Sequence, residues 1–183
     1  MKTSTNSNRR AEPMDPIERT LPTGRLVIRQ ADPKSERDLA DILEMTGEYA
    51  KDPMGLGRPM TPEETALLAE RLPDVPGSVI LMAWLDGRPT GIATCFGGFT
   101  TFSASPLLNI HDLSVREGAR GMGIGAELLR AVKRKASEMG CNRVTLEVRE
   151  DNAARRLYER EGFDYGTPTM YFMKAPVEPA LSE

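Results

Sequence analysis

Three glycines at alternate positions, Gly121, Gly123 and Gly125 in "ARGMGIGAELL", stand between a strand-like run and a run of helical periodicity. A helix N-terminus carries N–H groups without intrahelical partners and about half a positive charge from its aligned dipoles, so it binds anions wherever backbone can come close. Glycine permits that approach and allows the positive φ that turns amides inward, and Arg120 adds a counter-charge beside the loop. The chain therefore has to bring a strand end and a helix start together at this point.

The flanking residues supply those elements. "RLVIRQA" (residues 25–31) alternates as a half-buried strand, and Leu39, Ile42, Leu43 and Met45 recur at helical spacing within residues 35–49. Thr61, Pro62 and Glu64 open a second helix that ends by Pro73. Asp86-Gly87 marks a hairpin between two strands in "SVILMAWLDGRPTGIATCFGGF", and "LLNIHDLSV" is a strand leading into the loop. Residues 123–139 set Ile124, Leu128, Val132, Ala136 and Met139 on one helical face, and Gly140 closes that helix. "RVTLEV" reads as a strand, "NAARRLYERE" as a helix and "GFDYGTPTMYFMK" as a terminal pair of short extended segments, giving the order β-α-α-β-β-β-α-β-α-β-β.

Composition bounds the setting. The 183 residues, 39 % hydrophobic and 28 % charged with a formal net charge of −3, suit one soluble domain and lack the basic footprint of a nucleic-acid binder. Cys95 and Cys141 are isolated and there is a single histidine, so neither a disulfide framework nor a metal site is expected, and a reducing, cytoplasmic setting is. No apolar run approaches the roughly 18 residues that span a bilayer, and no secretory signal is expected at the N-terminus. The Ser-, Asn- and Pro-bearing residues 1–23 read as a flexible leader, residues 24–175 as the folded domain and residues 176–183 as a flexible tail.

Three kinds of phosphate fit a glycine loop of this sort. A nucleoside triphosphatase loop needs Gly-Lys-Ser or Gly-Lys-Thr, whereas Gly125 is followed by Ala126 and Glu127. A Rossmann-type dinucleotide site matches at Gly121, Gly123 and Ala126, with Glu147 as a ribose-binding acid, but the loop lies in the last third of the chain and a second βαβ half is missing. The third is the pyrophosphate of coenzyme A. "VREGARGMGIGAELL" resembles the Arg/Gln-x-x-Gly-x-Gly/Ala signature of the GNAT N-acetyltransferases at Arg120, Gly123 and Gly125. "DNAARRLYEREGF" (residues 151–163) resembles the later Asn-x-x-Ala-x-x-Leu-Tyr-x-x-x-Gly-Phe element of the same family.

The resemblance implies a GNAT-like α/β (α+β) fold: a mixed, largely antiparallel central sheet of six to seven strands with about four helices. It implies acetyl-CoA as cosubstrate, with pantetheine pairing to the backbone of Leu113, Ser114 and Val115. The pyrophosphate would lie on the amides of Gly121, Met122, Gly123, Ile124, Gly125 and Ala126 beside Arg120, and Asn152 and Arg155 would contact the coenzyme on the far side. Tyr158 would protonate the departing thiolate. The sole histidine, His111, is one candidate base, expected on the strand face of Asn109 and Leu113, and Glu147 is another; a substrate contact or a core role for His111 stays open. Glu48, Tyr49, Asn109, Asp112 and Glu147 are the candidate contacts for a small-molecule or peptide amine, with Glu44 and Asp52 nearby. Homodimers are common among such relatives. A coenzyme-A-binding sensor without turnover is the alternative function, and a dinucleotide-binding protein the third.

Overall fold

The computed structural model describes residues 13–177. Asp86 and Gly87 both take positive φ (49° and 78°), the geometry of the tight turn whose twist matches that of two paired strands. They join β3 (Ser78–Leu85) to β4 (Arg88–Thr100) at the centre of a sheet in the order β1-β2-β3-β4-β5-β6. β1 (Ile17–Leu21), β2 (Gly24–Ala31), β3, β4 and β5 (Ser105–Val115) are antiparallel to their neighbours, and β6 (Val144–Leu146) runs parallel to β5. With helices α1 (Glu36–Lys51), α2 (Pro62–Arg71), α3 (Ile124–Glu138) and α4 (Arg155–Arg160), this is the expected mixed, mostly antiparallel six-strand sheet with four α-helices among the described residues.

β3 shows why the sheet lies between helices. Its residues from Val79 to Trp84 are all buried, and the two-residue period of a strand sends Val79, Leu81 and Ala83 into one core and Ile80, Met82 and Trp84 into another. α3 covers the first core with Leu128, Val132 and Ala136, and α1 covers the second with Ile42 and Met45. Burying a side chain of this size contributes roughly 1.5–3 kcal/mol, so the apolar stripes of the two helices decide how they dock. Arg29 fixes α1 to the sheet through paired 2.7 Å bonds to Asp38, and its guanidinium lies 4.2 Å from the centre of the Trp84 ring. Ser35 caps α1 and Thr61 caps α2, where Thr61 and Glu64 bond each other's backbone N–H reciprocally. Thr61→Ala is expected to cost about 1 kcal/mol, read as a lower midpoint in chemical denaturation without change in its slope.

Several expectations are corrected. The sheet starts before Gly24: Ile17–Leu21 pairs with β2 through a hairpin in which Leu21 faces Gly24. Glu18, Arg19 and Thr20 between its apolar ends are exposed, as suits an edge strand, and this hides it among leader-like residues. Residues 1–12 and 178–183, assigned to leader and tail, lie outside the described residues. β6 keeps only Val144–Leu146, and α4 begins at Arg155 instead of Asn152. The terminal pair of strands is not formed: residues 164–177 carry no strand, and Met170, Tyr171, Phe172 and Met173 are exposed. A strand exists where a neighbouring backbone completes its ladder, and this segment lies against none. No helix among the described residues is long and apolar enough to cross a membrane.

Candidate active site

β5 and β6 pair only from Leu108↔Val144 to Ile110↔Leu146, and then they part. The cause is a bulge. Cys95 faces Ile110 and Thr94 faces Asp112, leaving His111 as an extra residue that bends β5. Before it, the Leu108 N–H donates to the Arg143 carbonyl on the β6 side (3.2 Å); after it, the Arg116 N–H donates to the Thr90 carbonyl on the β4 side (2.9 Å). Ser114, two residues from Arg116, shares its direction, so the N–H and C=O groups of Leu113 and Val115 point into the gap where β6 has ended. The extra residue also puts Leu113 and Val115 on the face of Leu108 and Ile110, packed in the α3 core. Unbroken alternation predicts Leu113 on the face of Asn109; the bulge places them on opposite faces.

The chain passes from Val115 through a short 3₁₀ turn (Glu117–Ala119) into the glycine loop. Gly121 and Gly123 take φ of +82° and +83°, and a Cβ at either would meet nothing within 4 Å. Their need for glycine is thus set by backbone conformation, and the space around them is open. Gly123 is the N-cap of α3 and offers no side-chain cap, so N–H groups of the first turn are left for another acceptor. Gly125 has a different reason: a Cβ there would lie 3.1 Å from Leu157, so its absence lets α4 pack against the start of α3.

Between these elements lies a cavity of about 1000 Å³. Of the predicted cofactor residues, Leu113, Ser114, Val115, Arg120, Gly121, Gly123, Ile124, Gly125, Ala126 and Asn152 line it, as do Tyr158, His111, Tyr49 and Glu147. Met122 instead accepts a hydrogen bond from Thr23, and Arg155 donates to the Tyr165 hydroxyl (2.6 Å) and the Glu150 carbonyl (2.8 Å). Glu44 and Glu48 both pair with Arg116 (2.6 and 2.9 Å), tying α1 to the end of β5 rather than facing the cavity. Asn109 reaches the cavity wall only through Glu147, to which it donates at 3.2 Å.

Asp52 and Met54 are also part of the wall, and of the two the sequence singles out Asp52 alone, as an acid near the acceptor contacts. The Asp52 carboxylate accepts from the Arg120 guanidinium (2.7 Å) and from the Met54 N–H (2.8 Å), the Pro53 carbonyl accepts from Arg149 (3.1 Å), and the Met54 carbonyl accepts from the Tyr49 hydroxyl (3.1 Å). Gly55 makes this turn possible, since a Cβ there would sit 2.3 Å from the Tyr49 carbonyl oxygen. The glycine after "KDPM" is its only sequence signal.

Burial governs the titrating groups. The Tyr158 phenol, packed edge-on against Phe163 at 6.1 Å, is pushed up to about 12 by burial, with Tyr49 adding in the same direction. Tyr49 is raised by burial and by the carboxylates of Asp112 and Asp52. Burial raises Asp112 above the usual carboxylate range, against a smaller opposing effect of His111, while His111 is exposed and meets the Phe96 ring edge-on at 5.7 Å. A carboxyl raised on folding favours the native state only while protonated, so its contribution is lost as pH rises from the unfolded value through the folded one. Asp112→Asn is therefore expected to raise Tm at about pH 8 relative to the parent and to lose that advantage near pH 4, as scanning calorimetry would record. Among the described residues, no group of three or more His, Cys, Asp or Glu side chains is arranged to hold a metal ion.

Parted strands beside a glycine-lined, uncapped helix start give this mixed α/β fold a cavity walled largely by open backbone groups. The family model of the acetyltransferase (GNAT) family matches residues 43–163, and the chain belongs to that family. An uncharacterized N-acetyltransferase of Bacillus subtilis, YhfO, is 33 % identical over 96 residues, 52 % of this chain and 64 % of that one, so the match spans just under two thirds of the relative's length. A solved structure described as a probable acetyltransferase superposes with a TM-score of 0.71 at 23 % identity, covering 83 % of this chain and 99 % of that one. An aminoglycoside acetyltransferase from an uncultured soil metagenomic sample, in complex with trehalose, gives 0.67 at 18 % identity over 83 % and 97 %. At these identities the two structures speak to the fold alone.

Proposed function

We propose that the protein is an N-acetyltransferase that moves acetyl from acetyl-CoA to a primary amine of a small molecule or peptide by direct attack in a ternary complex. The observation that carries the reading is the run of open backbone groups on Leu113 and Val115 leading into the uncapped start of α3, with Tyr158 on the same cavity. The fit to coenzyme A is specific in chemistry. An extended amide-bearing arm pairs with an unpaired strand edge, and a pyrophosphate suits free N–H groups and Arg120.

The amine nitrogen bonds to the thioester carbonyl carbon, and the Leu113 N–H supports the oxyanion that results. As the C–S bond breaks, Tyr158 gives its proton to the leaving sulfur; raised to about 12, it is protonated throughout the neutral range. The amine must arrive neutral, and His111 and Glu147, both on the cavity wall, are the groups placed to take its proton directly or through water. Direct transfer is favoured over an acyl-cysteine because Cys95 is buried, with its thiol pushed up to about 12, and Cys141 is absent from the cavity wall. Asn152 and the amides of Gly121, Gly123, Ile124, Gly125 and Ala126 form the coenzyme side, and Tyr49 and Glu147 bound the acceptor side.

Thiol release from acetyl-CoA tests the reading, measured against spermidine, amino acids, peptides and aminoglycosides. Amine-dependent release with at least one class is expected. Binding of acetyl-CoA without release across the panel would favour the non-catalytic coenzyme-A module, and a thermal shift with NAD alone would overturn both.

A further inference from the structure

Arg120 already occupies the strand edge that a ligand needs. Its Nε donates to the Val115 carbonyl at 3.0 Å, and Nη2 donates to Asp52 at 2.7 Å. Asp52 is held firmly on its own side. Its other oxygen accepts the Met54 N–H at 2.8 Å, its backbone N–H closes α1 on the Tyr49 carbonyl at 3.0 Å, and Gly55 wraps the turn too tightly for any side chain there. The two interactions that stabilise the Asp52 carboxylate, the Met54 N–H first and Arg120 second, hold it below the usual range and keep it charged near neutral pH. An anion at the start of α3 meets this carboxylate as a like charge and competes with it for one guanidinium, which is 54 % exposed.

We propose that Asp52 is a positioning residue that latches Arg120 over the Val115 carbonyl, so that coenzyme binding requires Arg120 to leave Asp52. The inference rests on the acetyl-CoA reading. Release frees the Val115 carbonyl for the ligand's amide and brings the cation to the phosphates. It also removes one tie on the 52–54 turn that carries Tyr49's hydrogen-bond acceptor, which links the coenzyme side of the cavity to the acceptor side.

The test is a double-mutant cycle on the full chain, with acetyl-CoA dissociation constants from calorimetry for the parent, Asp52→Asn, Arg120→Gln and the double variant. Asp52→Asn keeps an oxygen for the Met54 N–H, and circular dichroism confirms its fold. It is expected to bind acetyl-CoA about two- to fivefold more tightly, the scale of a largely exposed ion pair, and Asp52→Glu to return toward the parent. In the Arg120→Gln background the Asp52→Asn gain should shrink to the smaller like-charge part that does not depend on Arg120. Unchanged or weaker binding by Asp52→Asn would overturn the latch, as would an equal gain in the Arg120→Gln background, which would mark a charge effect independent of Arg120. Absence of acetyl-CoA binding by the parent would overturn the function reading, and the latch with it; parental binding without the Asp52 gain removes the latch alone.

Discussion

Tyr158→Phe is expected to lower kcat by roughly 10²–10⁴-fold, the usual contribution of a positioned general acid, while leaving the acetyl-CoA dissociation constant near that of the parent. The ring keeps its edge contact with Phe163 at 6.1 Å and its place beside Leu157, so only the hydroxyl is lost. A thiolate must then leave without a proton from the protein. The phenol is held near 12, above any pH at which the assay is run, so the alkaline fall in kcat/KM, if present, belongs to another group and should persist in the variant. Steady-state thiol release together with calorimetry reads both quantities, and parental turnover would remove Tyr158 as the acid.

Gly123→Val should abolish measurable acetyl-CoA binding in the micromolar range and lower stability by about 1–3 kcal/mol. At φ +83° a β-branched residue is strained whatever the space around it, and the space is open. The strain either unwinds the first turn of α3 or places two methyl groups where an anion would approach its N–H groups. Gly118→Ala is the matched control, because a Cβ there meets nothing within 4 Å and its φ lies outside the left-handed region. It should change neither affinity nor denaturation midpoint; a parental dissociation constant in Gly123→Val would remove the loop from the coenzyme site.

Local signals with a single physical cause were legible in the sequence. The Asp86-Gly87 hairpin, the Thr61 cap with Pro62 and Glu64, and the glycine loop before α3 each depend on residues within one turn of one another. What alternation could not anticipate was a change of parity. The bulge at His111 is set by how β5 meets β4, and it decides that Leu113 and Val115, not Asp112 and Ser114, open toward the gap. β1 was hidden because an exposed edge strand carries polar residues, and the terminal strands were overread because an apolar run without a neighbouring backbone makes no ladder. Among the candidate contacts, Glu48 pairs with Arg116, 68 positions away along the chain, as Glu44 does, and no local pattern announces a partner at that separation. Met54 and Arg149 gave no pattern: Arg149 reaches the turn only at the Pro53 carbonyl, a tertiary contact between the end of α1 and the segment after β6.

The most direct measurement is calorimetric titration of the purified chain with acetyl-CoA and, in parallel, with NAD. A one-to-one isotherm with acetyl-CoA, lost in Gly123→Val and absent with NAD, is the predicted result. Binding of NAD with no heat from acetyl-CoA would contradict it.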